Sequence, residues 1–231
     1  MQTTSFVSPR AGAVSASTEA RIYGLFALAM GLTLVGIVAG IMFAPVLLSS
    51  GALIAMLIAT LAIVFTSRLW MERYPLNYLL FAAFPLISGI TFTPYLLYIL
   101  AGYTNGASIL LNAFAATACM SLGAAFFART TKMSLMGMRG TLIMGILGLL
   151  VLLVLQLIFP GLQTGVPELF ISGFAVVLFA AFIAFDVQRI SILGKVGANP
   201  FLLALSLYLD VYNLFLYVLR FMLAISGNRR N

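Results

Sequence analysis

Two aspartates stand inside runs that are otherwise apolar: Asp186 in LFAAFIAFDVQRI and Asp210 in LSLYLDVYNLF. An ionised carboxylate in hydrocarbon is costly, so such a residue is neutral, paired or functional. Around the second, Ser206, Asp210, Asn213, Tyr217 and Arg220 follow one another at helical steps of four, three, four and three, among positions that are nearly all Leu, Phe, Val or Ala. That spacing stacks them on one face. Such a stripe must face protein or water, because lipid satisfies none of it. Asp210 alone could be neutral and bonded to Asn213 or a serine, or paired with Arg220. Together with Asp186 it could do more. Two buried carboxylates in contact cannot both ionise cheaply; they share a proton and titrate in two separated steps. That would supply a pH switch to a chain that has no histidine.

Positioning these acids requires membrane-crossing helices. Of the 231 residues, 63% are hydrophobic and only 7% charged, which describes a polytopic membrane protein and excludes an ordinary soluble domain. Apolar runs predict seven spans, over residues 22–43, 46–67, 76–100, 108–127, 141–159, 169–188 and 201–225, each near the length needed to cross about 30 Å. Residues 1–21 then form a polar, mobile tail, 22–225 the membrane domain and 226–231 a short C-terminal tail. Asp210 falls about 15 Å into its helix, and Asp186 about 9 Å from the end of the preceding one. A short loop with Gly194, Gly197 and Pro200 folds the two helices into a hairpin, so the acids can meet at similar depth.

Arg10, Arg21, Arg68, Arg73, Arg129, Lys132, Arg139, Arg189 and Lys195 precede the first span or fall between alternate pairs of spans, whereas the intervening loops hold no lysine or arginine and one holds Glu168. The bias places the N-terminus and the cationic loops in the cytoplasm. Seven crossings would put Arg229 and Arg230 outside, against that bias, while a last segment that dips in and returns would keep them inside; the segment is long enough to cross. The net charge of +7 has a topological explanation and calls for no nucleic-acid partner. In the third span, Ser88, Thr91 and Thr93 with Pro85 and Pro94 describe either a bent element lining a path or an ordinary proline kink. The small residues of the fourth span suit close helix packing, and Trp70 at a span end suits an interfacial anchor. Cys119 is the single cysteine, so no internal disulfide exists. Without histidine, a nucleotide loop or an activating base, enzymatic activity and a bound cofactor are not expected.

FDVQ at 185–188 and LYLDVYNLFLYVLR at 207–220 resemble the paired signature of the Bax inhibitor-1 family, also called the transmembrane Bax inhibitor motif family. SGIT at 88–91 and PRAG at 9–12 are similar to further elements of its bacterial members. The resemblance covers essentially the whole chain. It implies an all-α, seven-helix fold whose last helix is wrapped by the other six in two three-helix layers. It also implies a pH-sensitive calcium leak in which Asp186 and Asp210 form a proton-sharing pair. A family arginine at the end of the second helix latches this pair; Arg68 is the nearest match and Arg73 the second. The glutamate that some bacterial members carry inside the second helix has no counterpart between residues 46 and 67.

The residues therefore lead to an expectation of a proton-regulated calcium or cation leak in the bacterial inner membrane. Asp186 and Asp210 would be the sensor and a weak, transient calcium site. Ser206, Asn213 and Tyr217 would support them, and Ser88 and Thr91 would line the path. A hard divalent cation wants six or more oxygens, and two carboxylates with a few neutral oxygens suit passage better than tight binding. The alternative is a membrane interaction protein that modulates a membrane protease or stress response through its N-terminal tail. Proton-coupled solute transport would need a larger polar cavity, and an intramembrane aspartyl protease would need its own motif.

Overall fold

The computed structural model describes residues 10–45 and 51–226, with side chains from Thr18 onward. Among these residues there are eight α-helices: α1 (Arg10–Met42), α2 (Ala52–Phe65), α3 (Ser67–Trp70), α4 (Leu76–Gly102), α5 (Gly106–Thr130), α6 (Arg139–Ile158), α7 (Gly165–Leu193) and α8 (Pro200–Ser226). The hydrophobic runs form helices because hydrocarbon offers the backbone no partners, so each segment must satisfy its own N–H and C=O groups. Punctuation residues end them. Gly197 adopts the left-handed conformation, with φ of 75°, in the turn between α7 and α8. Pro200 occupies the first position of α8, where a missing N–H costs nothing. Asn199 beside it accepts from the Phe201 amide at 3.0 Å and donates to the Met71 carbonyl at 3.1 Å, tying that turn to the segment after α3.

Six helices are long and apolar enough to cross a membrane. Of the expected second span only residues 51–67 are described. Its helix α2 has 14 residues, about 21 Å at 1.5 Å per residue and short of the hydrocarbon thickness. At Thr66 its ladder breaks into the single turn of α3. Residues 46–50, where that span was expected to begin, lie outside the described residues. The first helix is longer than expected. It starts at Arg10, so the second half of the expected mobile tail is helical; PRAG begins at Pro9, outside the described residues, as do Arg229 and Arg230. Trp70 is a correction too. It is buried and its Nε1 donates to the Ile63 carbonyl at 3.0 Å, which fastens the α2–α3 break rather than anchoring at the lipid surface.

α8 is the most buried of the six long helices and packs against α1, α4, α5 and α7. α1 and α4 form another close pair. A Cβ on Gly36 would collide with the Leu86 carbonyl and one on Gly89 with the Thr33 carbonyl, so small residues let the two backbones touch. Thr93 bridges them, donating to Gly89 at 3.1 Å and toward Ile37 at 3.3 Å. Pro85 and Pro94 lie within one uninterrupted helix. By contrast α2 packs on α4 and α3, and α6 on α7 and the adjoining 3-10 turns, leaving both off the central helix. The outer surface is apolar, with Leu111, Phe126, Leu147, Phe170 and Val177 all exposed. Lipid is the solvent that suits it: this is an integral membrane protein.

Candidate functional site

Asp186 and Asp210 come together across the α7–α8 hairpin. Both are buried, at 2% and 7% exposure. Their carboxyl groups interact directly, and the Ser206 hydroxyl reaches Asp186. Each keeps one oxygen, Oδ2, buried and without a hydrogen-bond partner among the described residues. They are the only two aspartates in the chain. Both line a cavity of about 500 Å³ between α6, α7 and α8, where α6 stands off the central helix. Ser206, Asn213 and Tyr217 line the same cavity, so four members of the expected stripe share one space.

The guanidinium beside this pair is neither of the two expected. Arg189, one turn beyond Asp186 on α7, places Nη1 3.5 Å from Asp186 Oδ1. It is followed at greater distance by Arg139, which opens α6 and lines the cavity. Arg68 and Arg73 are exposed, form no ion pair with a described residue, and do not line the α6–α8 cavity. The i, i+3 spacing of Asp186 and Arg189 on one helix was the signal available for the local partner.

Ser88 and Thr91 line a different cavity, of about 480 Å³, on the α2–α4 side of α8. Their hydroxyls donate to carbonyls of their own helix, Ser88 to Phe84 at 2.9 Å and Thr91 to Ile87 and Ser88 at 3.0 Å each. Asn213 borders both this cavity and that of the aspartates. Its Nδ2 donates to the Leu209 carbonyl at 2.8 Å.

Arg220, the fifth residue of the stripe, belongs elsewhere. It pairs with Glu168 at the start of α7, Nε to Oε1 at 2.8 Å and Nη2 to Oε2 at 2.8 Å, and its Nη2 also reaches Gln156 Oε1 at 2.9 Å. The option of an Asp210–Arg220 pair is thereby removed. Glu168 was expected only as a loop acid; the helix begins earlier, at Gly165, and buries it. Gln156 and Glu168, lone polar residues at the edges of apolar runs, carried the signal for this second cluster.

Other motif residues act as fasteners. Gln188 of FDVQ accepts from the Leu135 amide at 2.6 Å and donates to the Met133 carbonyl at 2.9 Å, pinning the α5–α6 linker to α7. Tyr208 bonds to Thr33 of α1 at 2.8 Å, and Tyr212 donates to the Ser88 carbonyl of α4 at 3.1 Å. Among the described residues no three acidic, histidine or cysteine side chains gather into a metal site.

The family described as Inhibitor of apoptosis-promoting Bax1 matches residues 16–228. An uncharacterized protein of Campylobacter jejuni is 36% identical over 151 residues, 65% of this chain and 63% of its own. One from Borreliella burgdorferi is 31% identical over 160 residues, 66% of this chain and 63% of its own. The uncharacterized protein YrjE of Lactococcus lactis is 36% identical over 123 residues, 51% of each chain. The chain thus spans less than two thirds of the length of these relatives. With a match that runs from α1 to just beyond α8 and two aspartate motifs meeting in one cavity, the chain belongs to the Bax inhibitor-1 family.

Proposed function

We propose that the protein is a pH-sensitive leak for calcium or a similar cation, gated by a proton held between Asp186 and Asp210. The observation that carries this reading is the pair of buried carboxylates facing one cavity with an orphaned oxygen each. Two ionised carboxylates are acceptors only; a proton on either converts it to a donor and satisfies its neighbour. Loss of that proton leaves two like charges in contact, with Arg189 at 3.5 Å as the nearest cation, and favours a rearrangement that admits water or a counter-ion. The groups facing the pair are Ser206, Asn213 and Tyr217 of α8, Arg189 of α7 and Arg139 of α6.

Calcium is cargo in this reading. Two carboxylates and neutral oxygens fall short of a tight shell, which suits a site that must release what it binds. Ser88 and Thr91 border the neighbouring cavity, reached past Asn213. The cationic segments at 66–75, 131–138 and 194–199 gather at one end of the bundle, and linkers 103–105 and 159–164 at the other carry no lysine or arginine. By the charge bias the first end is cytoplasmic, and relatives from bacteria support a bacterial inner membrane as the location.

The test is calcium flux from vesicles containing the full chain, measured across a range of pH. The wild type responds to pH, and Asp210→Asn, which cannot share a proton as an acid, flattens the response. A pH dependence unchanged in the variant discards the reading.

A further inference from the structure

The cavity that holds the aspartates has two unlike walls. On the α8 side it is polar, with the carboxyl groups, Ser206 and Asn213. On the α6 side Leu142, Ile146, Leu149 and Leu153 follow at steps of four, three and four, a continuous aliphatic face. Two further lining residues of α6, Ile143 and Leu150, are 46% and 51% exposed. The space is therefore a slot that opens sideways, between α6 and the rest of the bundle, onto whatever surrounds the helices.

In a membrane that surrounding is hydrocarbon. An aliphatic wall holds no water, and an empty slot forfeits the dispersion contacts of its lining, so a lipid tail is the natural filling. The length suits one. From Arg139 to Leu153 the lining covers about 21 Å of α6, and from Ser206 to Tyr217 about 17 Å of α8, at 1.5 Å per residue. One leaflet of a bilayer with a core about 30 Å thick offers about 15 Å of chain.

The mouth of the slot selects the headgroup. Arg139, the first residue of α6, lines it, is exposed, and forms no ion pair with a described residue. Arg189 lines it too, and its one ion pair, to Asp186, is long at 3.5 Å. With a single proton on the aspartate pair, as in the reading above, two guanidinium groups face one carboxylate charge. One positive charge is left over, and a phosphodiester carries one negative charge. Guanidinium groups suit phosphate, and basic pockets between membrane helices at the cytoplasmic end collect anionic headgroups.

We infer that the slot between α6 and α8 is a binding site for one anionic phospholipid. Its phosphate sits at Arg139 and Arg189, and an acyl chain lies along the aliphatic face of α6, covering the aspartates from the side. Only the charge count rests on the leak reading.

Photo-crosslinking of the full chain in phosphatidylethanolamine vesicles tests this. The vesicles are doped with phosphatidylglycerol or phosphatidylcholine carrying a diazirine midway along one acyl chain, and the adducts are mapped by mass spectrometry. Phosphatidylglycerol labels slot residues such as Ile146, Leu150 and Leu209 well above Leu111 and Phe126, which lie exposed on α5. Phosphatidylcholine labels them all alike. Arg139→Gln, at an exposed position, lowers the preference for phosphatidylglycerol about fivefold, the worth of about 1 kcal/mol per cation near anionic lipid, and Arg139→Lys restores most of it. Equal labelling of the slot by the two lipids, or a preference unchanged in Arg139→Gln, overturns the site. Labels spread evenly over the slot and α5 reveal ordinary surrounding lipid only and overturn it as well. The readout is an adduct, so it decides the lipid site whether or not the chain conducts calcium, while the pH dependence of flux decides the leak.

Discussion

Tyr208 and Tyr212 flank Asp210 by two residues on either side, and their rings stack at 5.7 Å. Each reaches a different neighbour of α8, Thr33 on α1 and Ser88 on α4. Asp210 is therefore held in a stretch of helix that is fastened on two sides, which fixes where its carboxylate points. Tyr208→Phe keeps the ring and removes one buried hydrogen bond. It lowers the thermal unfolding midpoint in detergent modestly, as a loss of about 1 kcal/mol or less; an unchanged midpoint would show the bond contributes nothing. At this scale the acids were legible because charge in an apolar run is conspicuous. Their guanidinium was not. Arg68 and Arg73 were chosen by resemblance, while Arg189 was hidden by its position on the same helix as Asp186, where it read as a loop cation.

Helix pairs differ in how much they can move. α1 and α4 meet backbone to backbone at Gly36 and Gly89, which makes them a rigid unit. A methyl at Gly89 would press on the Thr33 carbonyl, so Gly89→Ala destabilises by about 1–3 kcal/mol. Gly123→Ala on α5, where a Cβ meets nothing within 4 Å, destabilises not at all and gains up to about 1 kcal/mol of helix propensity. Denaturation of both in the same detergent checks the contrast, and equal effects would contradict it. α2 and α6, each leaning chiefly on one long helix, are the elements free to shift, and each borders a cavity beside α8. Five helices, α4 to α8, could be read from hydropathy to within about five residues, and α1 ends where expected but begins at Arg10, well before residue 22. The second span ends within two residues of its expected boundary, at the Thr66 break that Trp70 stabilises from a turn away, while its expected start at 46–50 lies outside the described residues.

For the whole molecule, two polar clusters occupy opposite ends of a bundle whose exterior is apolar. One is acidic and under-satisfied, the other is a complete ion pair. Both are built on the hairpin of α7 and α8, so a movement of that hairpin acts on both at once. The aspartate cluster was legible because both acids lie in conspicuous motifs on consecutive helices. The ion pair was not, because Glu168 and Arg220 lie 52 positions apart: Glu168 read as a loop acid and Arg220 as the last member of the Asp210 stripe.

Only two aspartates exist in the chain, and the fold puts them in contact. Carboxyl-labelled aspartate therefore reports this pair and nothing else. Followed by infrared or NMR titration in lipid, the account predicts two widely separated protonation steps with a broad pH range in which the pair carries one proton, and a single step in Asp210→Asn. Two carboxylates titrating together and independently in the ordinary aspartate range would contradict it.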